Sequence, residues 1–105
     1  MSLLEVTDET FEREVLGASG PVLVEFWAQW CPPCRVLTPI LERIADAHPG
    51  LTVVKVNADD NPVTAMTYRA LSLPTMKVFE SGEVVRTMVG AKPQGALEAD
   101  LAAYF

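Results

Sequence analysis

Two kinds of hydrophobic pattern alternate along the first half of the chain. Val22–Trp27 and residues 51–56 are nearly continuous apolar runs, rich in β-branched and aromatic side chains. Such runs are typical of strands buried on both faces of a parallel sheet, so both are predicted to be strands. Between them, apolar positions recur with a period near 3.6: Val36, Leu37, Ile40, Leu41, Ile44 and Ala45. This period predicts an amphipathic helix that ends at about His48 and is kinked by Pro39.

Weaker signals predict two elements before the first of these strands. Residues 4–6 form a short stretch that is predicted to be the first strand. Apolar residues at helical spacing between Phe11 and Leu16 predict a short helix. Thr7 or Asp8 is a suitable N-cap for this helix, because a side-chain oxygen there can accept a hydrogen bond from a free backbone N–H.

Proline residues open two further predicted helices. Pro62 is a favourable first residue for a short helix that extends to about Tyr68, and Asp59, Asp60 and Asn61 before it are predicted to cap it. A last helix, opened by Pro93, has three apolar residues predicted on one face: Leu97, Leu101 and Phe105.

Residues 75–80 and 83–89 are predicted to be strands joined by Ser81 and Gly82. A two-residue connection that ends in glycine is typical of an antiparallel hairpin. The elements therefore follow the order βαβαβαββα, in which the helix-separated strands require right-handed parallel crossovers. The fold class is predicted to be α/β, with a central mixed sheet flanked by helices on both faces. A length of 105 residues predicts a single domain over residues 1–105.

Composition and charge exclude several classes of function. Half of the residues are hydrophobic, which is enough to form a core. The net charge is −6 and no two of the eight basic residues are adjacent, which argues against nucleic-acid binding. The longest uncharged stretch, residues 15–24, is too short to cross a membrane. The first residues have neither the basic nor the apolar segment of a signal peptide, so we expect a cytoplasmic protein. We also expect the protein to be a monomer.

Cys31 and Cys34 lie where the strand Val22–Trp27 has ended and the next helix begins. Sites of α/β proteins form at such strand ends. A spacing of three residues in a first helical turn puts both sulfurs on one side, within disulfide range. The positive helix N-terminus favours a thiolate at Cys31, which is expected to be exposed and to attack disulfides of other proteins. Cys34, expected to be more buried, would resolve the mixed disulfide.

Two other interpretations of the cysteine pair are weaker. A structural disulfide that closes so short a loop would constrain little of the unfolded chain. A closed zinc site needs four ligands, and two cysteines with the distant His48 do not supply them, so no metal site is predicted.

The chain resembles the thioredoxin family over essentially its whole length. The residues that carry the resemblance are 26–34, Pro39, Lys55, 57–59, 73–75, Gly82 and 89–91. The resemblance implies the thioredoxin fold and a general protein-disulfide reductase that works through a redox-active Cys31–Cys34 disulfide. Its partners would be disulfide-containing proteins and a thioredoxin reductase. That flavin-dependent partner draws on NADPH, so this chain itself binds no cofactor.

The resemblance also implies a substrate-binding surface. Trp30 would supply apolar contact for a partner, or would be a lid on the domain's own surface, with its indole N–H donated to Asp59. Pro74 would follow a cis peptide bond, which brings the backbone of Leu73 beside Cys31 to pair with an extended substrate chain. The remaining expected members of this surface are Pro32, Gly90 and Ala91. Three further residues are expected to have structural roles near the site: Trp27 in the core, Pro33 and Pro39.

Two departures from the family pattern change the expected chemistry. The family's usual pair between the cysteines is Gly-Pro, whereas this chain has Pro32 and Pro33. Both lack an N–H, and Pro33 disfavours helical dihedrals at Pro32. Because of this proline pair, one alternative function is that of a more oxidising disulfide oxidase or isomerase. A non-catalytic binding module with the same fold is the other alternative.

The second departure is Glu25, where the family has a buried aspartate that relays a proton to the second cysteine. Burial would raise the pKa of Glu25, which could then act as acid or base for Cys34. Lys55 matches the family's lysine beside this acid. The alternative is a glutamate that reaches solvent or simply pairs with Lys55.

Overall fold

Five strands form one mixed sheet in the computed structural model, which describes residues 3–105. The strands are β1 (Leu4–Glu5), β2 (Val22–Trp27), β3 (Thr52–Asn57), β4 (Thr75–Glu80) and β5 (Glu83–Val89), in the spatial order β1-β3-β2-β4-β5. β1 and β2 are both parallel to β3, whereas β4 is antiparallel to β2 and to β5. The predicted α/β class with a mixed sheet is therefore confirmed.

Helices cover both faces of this sheet. They are α1 (Pro32–Ala47), α2 (Pro62–Thr67) and α3 (Gln94–Leu101), together with a π-helical turn at Glu12–Leu16 and a 3₁₀ turn at Ala102–Tyr104. No helix within residues 3–105 is long and apolar enough to cross a membrane.

The side chains of β2 alternate between two cores. Leu23 packs with α1 and α3 on one face, while Val24 and Phe26 pack on the other face, where the residues near the N-terminus and α2 lie. β2 is paired on both edges, so residues 22–26 are all fully buried. Glu25 points to the α1 face with Leu23, since side chains alternate along a strand. This continuous apolar run with one carboxyl group therefore lies at the centre of the molecule.

The predicted first short helix is present as a π-helical turn, but its predicted cap is wrong. Residues 12–16 form a π-helical turn, in which the N–H of Gly17 donates to the carbonyl oxygen of Glu12 at 2.8 Å. The residue before this turn, Phe11, is itself helical and makes no side-chain cap. Thr7 contributes its backbone carbonyl, which accepts from the N–H of Phe11 at 2.9 Å. The side chain of Asp8 points elsewhere.

Asp8 caps α2, which is more than 50 residues away in the chain. Its carboxylate accepts from the backbone N–H groups of Val63 at 3.3 Å and Thr64 at 2.8 Å, and from the Thr64 hydroxyl at 2.6 Å. In return, the N–H of Asp8 donates to the side chain of Asn61 at 2.9 Å. Of the predicted caps, Asn61 does occupy the N-cap position of α2, although its side chain makes no cap hydrogen bond. The prediction is wrong for Asp59 and Asp60, whose own N–H groups donate to the Asn57 side chain.

We expect Asp8→Ala to lower the free energy of unfolding by about 1 kcal/mol at pH 7, the usual cost of losing a helix N-cap. Asp8→Asn retains an acceptor oxygen and is the matched control. Burial alone would raise the pKa of Asp8, but the hydrogen bonds from Thr64 and Val63 outweigh it and lower that pKa. The ionised cap is therefore fully present above about pH 4 and is lost as pH falls further. Urea unfolding at pH 7 and pH 3 measures the free energy of unfolding of each variant and its dependence on pH. If Asp8→Asn lost as much free energy of unfolding as Asp8→Ala, the capping role of Asp8 would be contradicted.

The hairpin has the predicted bounds, and the last helix departs from its predicted face. Ser81 and Gly82 have φ of 52° and 81°, which is the geometry of a type I′ turn. Leu97 and Leu101 of α3 are fully buried. Phe105 lies beyond the change to a 3₁₀ turn, and its ring stacks on His48 with centroids 3.5 Å apart. The change of helix type rotates Phe105 off the face that the two leucines share.

Candidate active site

Both cysteines are positioned by the junction between β2 and α1. Cys31 is the N-cap residue of α1 and has extended dihedrals, while Cys34 lies in the first helical turn. The N–H groups of Cys34 and Arg35 donate to the Cys31 carbonyl at 3.1 and 3.3 Å. Pro32 is the first helical residue despite the bias from Pro33. The first backbone N–H groups of a helix have no partner within it, so neither proline removes a helical hydrogen bond.

Cys31 and Cys34 form a disulfide, with their Cα atoms 5.3 Å apart. The expectation that Cys31 is exposed is wrong for this oxidised state: its exposed fraction is 3%, and that of Cys34 is 1%. Ala28, Trp27 and Leu73 pack around the pair and cover it. The disulfide is consequently almost enclosed, and Cys31 is the more exposed of its two residues.

Glu25 is fully buried on the α1 side of the sheet, so the alternative in which it reaches solvent is wrong. Burial raises the pKa of Glu25 to about 7, against the opposing effects of a hydrogen bond from Thr38 and the charge of Lys55, while Glu42 adds to the increase. Lys55 lies opposite Glu25 in the β2–β3 register. Its ammonium is 3.9 Å from Glu5 and acts on Glu25 through its charge. A buried carboxyl with this pKa can gain and lose a proton near neutral pH.

Thr38 is the residue of this site that sequence reasoning missed. Its hydroxyl lies 3.0 and 3.1 Å from the two carboxylate oxygens of Glu25, and 3.0 Å from the carbonyl oxygen of Cys34. The available signal was its spacing, because a residue four positions after Cys34 in a helix lies on the same face. Threonine at such a position commonly bonds the carbonyl one turn earlier.

Trp30 projects into solvent beside the disulfide. The exposed fraction of this residue is 65%, which argues against a closed lid. Its indole N–H donates to Asp59 at 2.7 Å, as the sequence resemblance implies. Trp27 is partly buried rather than in the core; it packs against the cysteines, and the Lys55 ammonium lies 5.0 Å from its ring centroid. Within residues 3–105, the buried indole nitrogen of Trp27 has no hydrogen-bond partner.

The loop before β4 brings Leu73 and Pro74 to the disulfide. The peptide bond between them is cis, and Leu73 packs against the cysteine pair. Pro74 itself is buried, and its carbonyl accepts from the N–H of Gly90 at 2.8 Å. Gly90 has a φ of 89°, a conformation that favours glycine, and Ala91 after it is exposed. Of the described residues, none hydrogen-bonds to the backbone of Leu73, which leaves that backbone open to another chain.

Pro39 lies further from the disulfide, on the exposed side of α1. α1 continues through it as an unbroken helix from Pro32 to Ala47. Around the site, the surface formed by residues 3–105 has no enclosed pocket. The same residues contain no group of three histidine, cysteine or carboxylate side chains that could hold a metal ion.

Comparison with known proteins places these features in one family. The family model described as Thioredoxin matches residues 2–103. A thioredoxin from Streptomyces clavuligerus is 53% identical over 95 residues, which cover 90% of this chain and 89% of that protein. A thioredoxin from Porphyra purpurea is 47% identical over 105 residues, or 99% of this chain and 98% of that protein. A bifunctional thioredoxin reductase/thioredoxin from Mycobacterium leprae is 46% identical over 99 residues, which are 93% of this chain and 22% of that protein.

Proposed function

The chain belongs to the thioredoxin family, and on that premise we propose a division of labour between its two cysteines. The protein is a thiol-disulfide oxidoreductase that reduces protein disulfides through Cys31 and Cys34. In the proposal, Cys31 is the attacking thiolate and Cys34 is the resolving thiol. The observation that carries it is their placement: Cys31 occupies the N-cap position at the positive N-terminus of α1, whereas Cys34 lies within the first turn and is the more buried of the two.

The reaction transfers two electrons from the cysteine pair to the target. The Cys31 thiolate attacks one sulfur of the target disulfide, whose S–S bond breaks and releases the other sulfur as a thiolate. A mixed disulfide then joins Cys31 to the target. Cys34 loses its proton and attacks the Cys31 sulfur, which forms the Cys31–Cys34 disulfide and releases the second target thiolate.

Glu25 is proposed as the group that accepts the Cys34 proton, with Lys55 modulating its charge. The support is its complete burial on the α1 face, its raised pKa and the Thr38 hydroxyl that lies between its carboxyl group and the backbone carbonyl of Cys34. In the reverse direction, the protonated carboxyl returns a proton to Cys34 when the disulfide is reduced.

Target proteins are proposed to dock on the rim around the disulfide. The apolar rim consists of Trp30, Pro32, Leu73, Pro74, Gly90 and Ala91. The large exposed ring of Trp30 supplies contact area, and Asp59 restricts its orientation. An extended segment of the target would pair with the backbone of Leu73, whose N–H and carbonyl are open. Structural roles near this rim are proposed for Pro33, Pro39 and Trp27, of which Trp27 packs against the cysteine pair.

The proposed electron donor is a separate thioredoxin reductase that draws on NADPH through a flavin. One relative has both activities in its name, as a bifunctional thioredoxin reductase/thioredoxin. We place the protein in the cytoplasm, where such a donor keeps protein thiols reduced, as a monomer with one domain.

The test of this function is a turnover assay with NADPH, thioredoxin reductase and insulin. We expect NADPH oxidation that depends on the protein, accompanied by reduction of the insulin disulfides. Dithiothreitol in place of NADPH and reductase is the control, because it recharges the cysteine pair without the partner enzyme. If the protein reduces insulin with dithiothreitol but not with NADPH and thioredoxin reductase, the proposed electron donor is wrong and the role as a reductant stands. If it reduces insulin in neither assay, the proposed direction of the reaction is wrong.

A further inference from the structure

The Thr38 hydroxyl has more acceptors than it has protons. Three oxygens lie within 3.1 Å of its Oγ1: both carboxylate oxygens of Glu25 and the backbone oxygen of Cys34. A hydroxyl carries one proton, so it donates to one of these oxygens at a time, although it can accept a further hydrogen bond through a lone pair. The state of Glu25 therefore decides which oxygen receives the Thr38 proton.

We propose that Thr38 is a positioning residue for the exchange reaction, which couples proton gain and loss at Glu25 to the hydrogen bond on the Cys34 backbone. When Glu25 is ionised, its charge attracts the Thr38 proton, since hydrogen bonds to charged acceptors are the stronger ones. When Glu25 is protonated, its O–H donates to Thr38, and the Thr38 proton turns to the Cys34 carbonyl. Thr38 thus holds the Glu25 carboxyl group in place, and the charge of Glu25 determines whether the Cys34 carbonyl in the first turn of α1 receives a hydrogen bond.

The surroundings of Glu25 leave Thr38 as its direct hydrogen-bonding partner. On β3, Lys55 faces Glu25 and stabilises its ionised form through charge; on α1, Glu42 opposes ionisation. On β4, the neighbour in register is Met76, which has no titrating group. The Thr38 hydrogen bond favours ionisation against the effect of burial on the pKa of Glu25.

This coupling rests on the proposed proton transfer between Cys34 and Glu25. During resolution the Cys34 thiol proton passes to the Glu25 carboxylate, while the sulfur electron pair forms the bond to Cys31. Thr38 then turns from Glu25 to the Cys34 carbonyl. The helix turn that carries the new disulfide gains a hydrogen bond at the moment the proton leaves Cys34.

The experiment compares Thr38→Val, Thr38→Ser and Thr67→Val. Valine keeps the shape and removes the hydroxyl, while serine keeps the hydroxyl. Thr67 is the matched control, because its hydroxyl also donates to the carbonyl four residues earlier, Val63, at 2.7 Å, but on α2. Thr38→Ala supplies a second hydroxyl-free variant if valine prevents folding.

Two carbon-13 NMR titrations of the oxidised protein provide the readout. One follows the Glu25 side-chain carboxyl, and the other follows the Cys34 backbone carbonyl in protein labelled at its two cysteines. We expect the Glu25 pKa to rise by about one unit in Thr38→Val, because a hydrogen bond to a charged group is lost. The Cys34 carbonyl signal should show an inflection at the Glu25 pKa in the wild type and in Thr38→Ser, and lose it in Thr38→Val. Thr67→Val should match the wild type in both titrations.

The pH profile of the resolving step completes the test. In Thr38→Val its inflection should move upward by the same amount as the Glu25 pKa. An unchanged Glu25 titration, or a Cys34 carbonyl inflection that persists without the hydroxyl, overturns the role of Thr38 while the proton transfer by Glu25 stands. If both NMR titrations change as expected but the pH profile of the resolving step does not, neither Thr38 nor Glu25 acts in disulfide exchange. The roles of the two cysteines would not be affected by that result.

Discussion

Cys31→Ser is expected to reduce insulin turnover to the uncatalysed background. Serine has almost the size of cysteine, but its hydroxyl is not ionised near neutral pH and cannot form a disulfide. Cys31 is also the cysteine at the helix N-terminus, where the backbone N–H groups of the first turn favour a negative charge. The measurement is NADPH oxidation in the presence of thioredoxin reductase and insulin. Catalysed turnover by this variant would contradict the assignment of Cys31 as nucleophile.

The matched variant is Cys34→Ser, which removes the other sulfur of the same disulfide. Its Cys31 can still attack a target, but no resolving thiol remains, so the reaction stops at the mixed disulfide. Mass spectrometry should detect covalent target adducts of Cys34→Ser that dithiothreitol releases, and none of Cys31→Ser. The opposite distribution would exchange the roles of the two cysteines.

Glu25→Gln is expected to slow the resolving step by up to about 10²-fold, the lower part of the range for general acid–base catalysis. Glutamine keeps the size and can accept the Thr38 hydrogen bond, but it cannot take a proton from Cys34. The first attack by Cys31 should keep its rate, because that thiolate needs no base. Rapid mixing with a substrate that forms a coloured mixed disulfide separates the two steps.

The rate of the resolving step is expected to increase with pH. Burial raises the pKa of Glu25 to about 7, and the base is the ionised form, so wild-type resolution should accelerate as pH rises through 7. The inflection of the rate near pH 7 should be absent in Glu25→Gln. Glu83→Gln, the same chemical change at an exposed hairpin position, is the control and should follow the wild type. Equal resolution rates of Glu25→Gln and wild type between pH 6 and 8 would make Glu25 a structural residue.

The same raised pKa predicts a stability difference in the oxidised protein. The folded state holds the Glu25 proton up to about pH 7, whereas the unfolded chain releases it near 4.5. Neutral Glu25 therefore stabilises the fold below pH 4.5, and this contribution is lost as pH rises to 7. The wild type should lose roughly 3 kcal/mol relative to Glu25→Gln over this range. Denaturant unfolding of both proteins across the range measures the difference.

The strands near the site were predictable because a strand that is buried on both faces has apolar residues at nearly every position. β2 has the bounds of its apolar run, and β3 differs by one residue at each end. The hairpin was predictable from Ser81 and Gly82, since few residues adopt positive φ at both turn positions. The first helix was less predictable: a single π-helical turn contains too few residues for a period to identify its hydrogen-bond pattern.

The sequence by itself determined the order of the elements, the strand that carries Glu25 and the cysteine pair within disulfide range at the start of α1. Each of these follows from neighbours in the chain: an apolar run, a helical period, and two cysteines three residues apart. Only the tertiary structure decided that Asp8 caps α2, that Glu25 is fully buried, and that the Thr38 hydroxyl lies between Glu25 and the Cys34 carbonyl. The hydrogen bond from Thr38 to Glu25 joins residues 13 apart in the chain, and the one from Thr64 to Asp8 joins residues 56 apart. A hydrophobic period shows which face of an element is buried, but the hydrogen-bond partner on that face is chosen by how the elements pack.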